Sequence, residues 1–190
     1  NDSISYAQRI QTAVLPSEDE LKALLPESML YFRARNIVSG DFWWMHHRGP
    51  VLLLAVADCT GHGVPGAFMA LMGQFMLTQI VRDFGTRVPL EQMLAQVDQR
   101  LSTTLRQTPA RPTSSGLPPL DGIDMALCRL NLDTGKLEFA GANRPLYHVA
   151  SGPEADFTLV RGTTRPLGGL QIRRADIEYD SLELELQPGD

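Results

Sequence analysis

An unbroken run of apolar residues, 51–57, ends at Asp58 and is followed at once by a glycine-rich turn. A short apolar run bounded by turn residues is typical of a strand that is buried on both faces. The turn leads into an apolar helical pattern, and we expect Pro65 at the first helical position. The chain must therefore fold around a central strand that delivers a carboxylate to a tight turn.

The periodicity of the remaining sequence separates helices from strands along the chain. Besides the helix after the glycine-rich turn, apolar spacing predicts helices over residues 3–15, 18–25 and 90–105. Further strands are predicted over residues 30–35, 125–132, 136–140, 146–149, 157–160 and 177–186. Residues 107–122, rich in Pro, Ser, Thr and Gly, predict a mobile loop or flap. This grouping favours an α+β fold, which we expect to be a mainly antiparallel β-sandwich flanked by helices.

The two ends of the chain suggest a piece of a longer protein. The sequence opens on Asn1 and closes on a turn-like segment, 188–190, directly after a strand pattern. In the first helix Ile4, Ala7, Ile10 (or Gln11) and Val14 are spaced to lie on one face. Such a stripe suits packing on its own domain or continuation of an upstream coiled segment. We interpret both ends as cuts.

Charge and composition exclude some classes of function. The 190 residues carry a formal net charge of −5, and no run of Lys or Arg offers a nucleic-acid footprint. The longest apolar run is far shorter than the roughly 20 residues that a membrane helix needs. Two cysteines, Cys59 and Cys128, make neither a disulfide framework nor a zinc site. We therefore expect a reducing, cytoplasmic setting without a nucleic-acid partner.

Two carboxylates stand out by position, Asp58 at the end of the buried strand and Asp41 after Gly40. If the strands predicted over residues 30–35 and 51–57 are near neighbours, the two side chains meet at one edge of the sheet. Hard cations such as Mg²⁺ and Mn²⁺ prefer oxygen ligands, and two metals about 4 Å apart can clamp a phosphoryl group. Asp before a glycine-rich turn is equally typical of a turn former or helix cap. Spacing alone leaves both interpretations open.

Other polar and aromatic residues are weaker candidates for a functional role. His46 and His47 point in opposite directions on a strand, which disfavours shared metal ligation. His62 lies in the glycine-rich loop, where a plain loop role is as good an interpretation as substrate contact. Asp124 begins a strand and suits a structural role better than orienting a water or Arg144. By alternation, one of the tryptophans at 43 and 44 is expected in the core and the other on the surface.

Four ordered motifs resemble the metal-dependent (PPM) phosphatase family, in particular its bacterial SpoIIE-like branch. They are Ser-Gly-Asp-Phe-Trp at residues 39–43, Ala-Asp-Cys-Thr-Gly-His-Gly-Val-Pro-Gly-Ala at 57–67, the helix at 7–16 and the hairpin at 121–146. The resemblance implies a protein serine/threonine phosphatase with two divalent cations, Mn²⁺ or Mg²⁺. It also implies that Asp58 bridges both metals, that Asp41 holds one, and that Cys59 offers its backbone carbonyl. A metal-bridging hydroxide would then attack the phosphorus.

The sequence departs from the family pattern at two places. Ser39 stands where the family usually has Gly, a change that still permits a tight turn. The family's later acidic ligands, in a Thr-Asp-Gly-type motif and near a final acidic strand, are expected beyond Asp190. We therefore expect residues 17–190 to be the front part of a phosphatase domain that is incomplete at its C-terminus. The fragment as it stands is then expected to lack ligands for one metal.

The resemblance also implies partners. The expected substrate is a small phosphorylated bacterial regulator, such as an anti-sigma-factor antagonist with a STAS fold. Residues 1–16 are expected to form a helix and linker from an upstream sensor, which gates the enzyme and offers a contact for a homodimer. A cytoplasmic domain of a membrane-anchored receptor is one such setting. The alternative hypothesis is a binding module that keeps the fold without the chemistry.

Overall fold

The computed structural model describes residues 2–34, 36–107, 120–152, 157–169 and 178–190. Four α-helices lie in these residues, and their bounds are α1 Asp2–Val14, α2 Glu18–Leu24, α3 Gly63–Phe84 and α4 Leu90–Thr104. The strands are β1 Asp41–Arg48, β2 Val51–Cys59, β3 Gly122–Asn131, β4 Lys136–Ala142, β5 Leu146–Val149, β6 Phe157–Val160, β7 Leu167–Gly168 and β8 Leu182–Glu185.

Most strands belong to one antiparallel sheet. Its order is β1-β2-β3-β4-β8, and β7 pairs with the first two residues of β3, 122 and 123. Strands β5 and β6 form a separate two-stranded sheet. Short hairpin connections join β1 to β2 and β3 to β4, whereas β2 reaches β3 through helices α3 and α4. The prediction of an α+β fold with mainly antiparallel strands flanked by helices is confirmed.

The β3–β4 hairpin shows how the local sequence sets the register. The side-chain carbonyl of Asn131 accepts hydrogen bonds from the backbone N–H groups of Asp133, at 3.0 Å, and Thr134, at 3.2 Å. Gly135 then adopts a φ of +70°, which favours glycine. This turn fixes which residues of β4 oppose those of β3, and it therefore fixes where the chain emerges after Ala142.

The hydrophobic core lies between one face of the sheet and helices α3 and α4. Its fully buried side chains include Phe42, Leu53, Leu77, Ile80, Leu90, Met93, Leu94, Val97, Met125 and Leu127. By length and composition α3 could also cross a membrane, but 56% of its most apolar window is buried inside the fold. That burial against the sheet and α4 is the packing of a core helix.

The expectation that β2 is buried on both faces is only partly right. The face that contacts the helices is fully covered, but on the opposite face Leu52 is buried while Val56 is 62% exposed. Helices α3 and α4 cover one face only, because both pack from the same side. The prediction from the unbroken apolar run therefore overestimated how much of this strand is buried near Asp58.

The N-terminal third differs from its prediction over residues 30–34 and decides between the alternatives in α1. No strand forms over residues 30–34, which the structure describes; the first strand is Asp41–Arg48 instead. The segment finds no pairing partner, and Tyr31 is 80% exposed. In α1 the structure buries Gln11, the alternative that the spacing allowed, whereas Ile10 and Val14 are about half exposed. Gln11 is buried because its amide finds hydrogen-bond partners, as described below.

Three smaller predictions also need adjustment. Trp43 and Trp44 are both buried, because Trp44 faces α3 and donates a 3.0 Å hydrogen bond to Thr78 while Trp43 is covered on the other face. Helix α3 begins at Gly63, so Pro65 is its third residue. It still lies in the first turn, whose N–H groups have no intrahelical partner. The predicted flap at 107–122 lies largely outside the described residues.

Candidate active site

Asp41 and Asp58 face each other across the first strand pair. In the antiparallel register of β1 and β2 they are direct partners, so their Cα atoms are about 4.5–5.5 Å apart. Burial raises the pKa of Asp41, and the neighbouring Asp58 raises it further, while the charge of Arg144 opposes both. Two acids in such proximity favour a cation between or beside them.

A third carboxylate, Asp124, lies on the other side of Asp58. It is the direct partner of Asp58 in the register of β2 and β3. The side-chain amide of Asn143 donates a 2.9 Å hydrogen bond to Asp124 Oδ2. Burial raises the pKa of Asp124, whereas this hydrogen bond and the charge of Arg144 lower it. The sheet edge thus carries three acids in a row, one from each of three adjacent strands.

Arg144 supplies the positive charge in this acidic row. Its guanidinium forms an ion pair and hydrogen bond with Asp58 Oδ2, and its Nε lies 4.0 Å from Asp124 Oδ2. In the described part of the chain no other lysine or arginine forms an ion pair with these three acids. Sequence reasoning did not single out Arg144 as a phosphate contact. The hairpin register was the available signal, because β4 returns antiparallel to β3 and ends beside Asp124.

Close backbone packing holds the two aspartates at this edge. A Cβ on Gly40 would lie 2.8 Å from the carbonyl oxygen of Gly61, and one on Gly66 would lie 2.7 Å from the same oxygen. Atoms cannot approach so closely, so the turn after Asp58 packs against the residue before Asp41 only because positions 40 and 66 are glycine. These glycines therefore let backbone approach backbone at the edge that carries the two aspartates.

Helix α1 is tied to the same edge by buried hydrogen bonds. The side-chain amide of Gln11 donates to the Ser39 carbonyl at 2.7 Å, and its oxygen accepts from the Ser39 N–H at 2.9 Å. Ser39 Oγ in turn accepts a hydrogen bond from the Asp41 N–H at 3.0 Å. A movement of α1 therefore reaches Asp41 through only one intervening residue.

Cys59 presents its thiol to the core and its carbonyl to the turn. Burial raises the pKa of the thiol, and the carboxylates of Asp58 and Asp41 raise it further, so the sulfur stays protonated. A buried neutral thiol is no ligand for a hard cation. The carbonyl oxygen lies 3.3 Å from where a Gly40 Cβ would stand, which places it beside the Asp41 turn. The backbone is thus the only part of Cys59 that suits its predicted role.

The comparisons with known proteins place this geometry in a family. The sequence model of the family described as Stage II sporulation protein E (SpoIIE) matches residues 49–190, which include Asp58, Asp124 and Arg144. The chain belongs to the SpoIIE family. No curated protein matches it.

Solved structures show the same fold as this SpoIIE family member. The SiaA-PP2C domain of Pseudomonas aeruginosa is 29% identical with a TM-score of 0.77, over 98% of this chain and 67% of that one. The RsbU and RsbW domains of Rv1364c from Mycobacterium tuberculosis are 19% identical with a TM-score of 0.54, over 80% and 38%. RsbX in complex with magnesium is 13% identical with a TM-score of 0.51, over 79% and 62%. The fold is that of PP2C-type phosphatase domains.

The oxygen donors of this SpoIIE family member fit a hard divalent cation. No three His, Cys, Asp or Glu side chains within the described residues are grouped closely enough to hold a metal ion. Two opposed carboxylates and a nearby backbone carbonyl nevertheless match the few protein ligands, completed by water, that Mg²⁺ uses. Asp41, Asp58 and the carbonyl of Cys59 therefore stay the predicted ligands.

The histidines lie apart from the acidic edge or at its rim. His46 and His47 are consecutive on β1, where His46 stacks on Trp44 with a ring separation of 6.2 Å. Burial lowers the pKa of His46, which disfavours a charged role. His62 is exposed at the N-cap of α3 and makes no side-chain capping bond there. None of the three joins the acidic row.

Proposed function

We propose that this protein is a metal-dependent protein serine/threonine phosphatase. The observation that carries the proposal is the pairing of Asp41 with Asp58 at one sheet edge of a SpoIIE family chain. Two acids held face to face by β-register and glycine packing supply paired oxygen ligands for divalent cations. RsbX, a structural neighbour, was solved in complex with magnesium, which supports a hard cation here.

The residues of the site have distinct roles in this proposal. Asp58 and Asp41 would hold two Mn²⁺ or Mg²⁺ ions, with the carbonyl of Cys59 as a further ligand. When bound, the ions would lower the pKa of a water and neutralise charge on the phosphoryl group. Helix α3 begins at Gly63 without a side-chain cap. Its first N–H groups, at the positive end of the helix dipole, would favour an anion bound there.

The proposed substrate is a phosphoserine or phosphothreonine on a small bacterial regulatory protein of the anti-sigma-factor-antagonist, STAS-fold type. Structural neighbours come from bacterial regulatory systems, among them RsbU and RsbW domains and a stressosome. A groove of about 810 Å³ opens beside Asp41 and Asp58 and is lined by both apolar side chains and Arg144. It gives a protein substrate room to reach the acidic pair.

The experiment that tests the function is a hydrolysis assay on the full-length protein. Phosphate release from p-nitrophenyl phosphate and from phosphoserine peptides is measured with Mn²⁺, with Mg²⁺ and with a chelator. We expect turnover that appears with metal and disappears with the chelator. Absence of metal-dependent release from every substrate would contradict the phosphatase proposal.

A non-catalytic binding module is the second candidate. The ion pair between Arg144 and Asp58 favours it, since a cation of the protein itself already occupies the carboxylate. A phosphoprotein would then bind without turnover. Calorimetry with a phosphorylated regulatory protein separates the two candidates, because binding without phosphate release identifies the module.

We also propose that α1 transmits a signal from an upstream sensor, in a cytoplasmic setting and with a homodimer contact on the same helix. Its apolar stripe is about half exposed at Ile10 and Val14, so this surface is open to a further contact. Its buried residue, Gln11, reaches Asp41 through Ser39. A shift of the helix would therefore change how Asp41 is presented.

The Gln11→Leu variant is expected to weaken Mn²⁺ binding and to lower kcat about tenfold. The substitution removes two buried hydrogen bonds and leaves the Ser39 N–H and carbonyl unsatisfied, at a cost of roughly 1–3 kcal/mol for each. Calorimetric titration with Mn²⁺ and steady-state kinetics measure the two effects. Gln8→Leu is the matched control, because Gln8 lies exposed on the same helix. Equal effects of both variants would contradict the link through Ser39.

A further inference from the structure

The backbone that carries Arg144 is fixed by a tight crossing of two chain segments. A Cβ on Gly141 would lie 2.2 Å from the Arg144 carbonyl, and one on Gly162 would lie 2.5 Å from the Gly141 Cα. Two backbone hydrogen bonds join the segments: Thr163 N–H donates to Gly141 at 2.8 Å, and Asn143 N–H donates to Thr163 at 2.7 Å. Neither glycine tolerates a side chain, so this crossing has one arrangement.

Asn143 turns the chain so that the next side chain points at the acidic row. Its φ of +57° lies in the left-handed region, which is uncommon for a residue other than glycine. Its side-chain amide is anchored on Asp124, at 2.9 Å. The position of Arg144 beside Asp58 is therefore set by a constrained backbone and does not depend only on the length and flexibility of its side chain.

The ion pair that Arg144 makes is an exchangeable one. The Arg144 side chain is 41% exposed and that of Asp58 is 50% exposed, so water competes for both partners. Exposed ion pairs contribute little to stability. A guanidinium offers parallel N–H groups that match the oxygens of a phosphate as well as those of a carboxylate. Arg144 can therefore leave Asp58 for a phosphoryl group at small cost.

We propose that Arg144 binds the phosphoryl group of the substrate and pairs with Asp58 only while that carboxylate carries no cation. This inference rests on the proposed phosphatase function and deepens it. A bound cation and the Arg144 guanidinium would compete for the negative charge of the same carboxylate. With a cation on Asp58, the guanidinium would be freer to turn to a phosphoryl group bound beside it.

Arg33 is the competing candidate for a phosphate contact, since it lines the same groove. It lies in the segment 30–34, which forms no strand, and within the described residues it makes no ion pair with Asp41, Asp58 or Asp124. Arg144, in contrast, already contacts two of these carboxylates. The geometry therefore favours Arg144.

The test uses full-length protein with Arg144→Gln and Arg144→Lys, and with Arg100→Gln as the control. Arg100 forms an exposed ion pair with Asp83 on the helical side of the molecule. Calorimetry measures Mn²⁺ binding without substrate and then binding of inorganic phosphate to the Mn²⁺-loaded protein. Phosphate release from a phosphoserine peptide gives KM and kcat separately.

For Arg144→Gln we expect Mn²⁺ to bind several-fold more tightly, because Asp58 no longer has a competing cation. Inorganic phosphate is expected to bind at least tenfold more weakly, with a matching rise in KM. Arg144→Lys is expected to recover part of the phosphate affinity, and Arg100→Gln to match the unchanged protein. Unchanged Mn²⁺ affinity or unchanged phosphate affinity in Arg144→Gln would each overturn the exchange. Failure of the phosphatase proposal shows separately, as absence of turnover in the unchanged protein.

Discussion

The Asp58→Asn substitution is expected to lower kcat/KM by about 10³-fold or more. Asparagine keeps the shape of the side chain but removes the charge that holds the cations, and metal ions contribute several kcal/mol of charge stabilisation in the transition state. At about 1.36 kcal/mol for each factor of ten, a loss of about 4 kcal/mol corresponds to this change. The effect is expected to be this large because Asp58 alone faces both other acids, Asp41 and Asp124.

The same variant separates loss of the site from loss of the fold. Without metal, its stability is expected to change by about 1 kcal/mol or less, because the Arg144–Asp58 pair that it removes is exposed. With Mn²⁺ at 100 times its Kd, the unchanged protein gains about 2.7 kcal/mol and the variant gains little. Thermal unfolding with and without Mn²⁺ measures this gain. Asp83→Asn, at an exposed ion pair on α3, is the control and is expected to keep the activity and the gain.

Retention of Mn²⁺-dependent turnover by Asp58→Asn would contradict the assignment of Asp58. Loss of turnover together with loss of folding in the absence of metal would do so as well, because it would give Asp58 a structural role. The two measurements therefore test the ligand role and not merely the importance of the residue.

The sequence singled out Asp41 and Asp58, but spacing left their role open, and the strand predicted beside 51–57 was 30–35, whereas the strand that forms is Asp41–Arg48. Local patterns within residues 41–59 are nevertheless enough to explain the pairing. The apolar run before Asp58 and the aromatic segment after Asp41 each form a strand, and a two-residue connection between their ends, 49–50, leaves antiparallel pairing as the simple arrangement. Once the strands pair, the two aspartates are opposite each other. The hairpin at Asn131 was predictable for the same reason, since its turn chemistry lies within a few residues.

Other features were missed because they depend on contacts between distant segments. The spacing of α1 left Ile10 and Gln11 as alternatives for the buried face, and only the partner 28 residues away, Ser39, explains why the polar Gln11 is the buried one. The position of Arg144 depends on the crossing of Gly141 with Gly162, which no local pattern indicates. Alternation failed for Trp43 and Trp44 because both sides of β1 are covered there. The predicted flap and the late ligands lie outside what the structure describes.

The Gly66→Ala substitution is expected to destabilise the protein and to lower its activity together. At an ordinary helical position alanine is more favourable than glycine by about 1 kcal/mol. Here the new Cβ would lie 2.7 Å from the Gly61 carbonyl oxygen and 3.0 Å from the Gly40 Cα, and both contacts are backbone. Overpacking of this kind costs typically about 1–3 kcal/mol, which reverses the usual sign.

The loss of activity follows from what the displaced backbone carries. Gly40 precedes Asp41, and Gly61 lies in the turn that begins after Asp58. Because the new Cβ at position 66 clashes with both glycines, it is expected to move both predicted ligands. A misplacement of 1 Å can cost about 10²-fold in rate, and we expect a loss of that size for Gly66→Ala at a temperature where the protein is fully folded. Circular dichroism establishes folding, and phosphate release measures the rate.

Gly73→Ala is the matched control, because it makes the same change in the same helix. Its Cβ would meet the ring of Phe42 at 2.7 Å and the side chain of Ile123 at 3.1 Å, and side chains can rotate where backbone cannot. We expect Gly73→Ala to lower the midpoint of thermal unfolding while the folded protein keeps most of its activity. If Gly66→Ala and Gly73→Ala lost activity equally at equal stability, the glycine contact would be a feature of packing alone. A larger loss in Gly66→Ala would assign that contact to the alignment of Asp41 with Asp58.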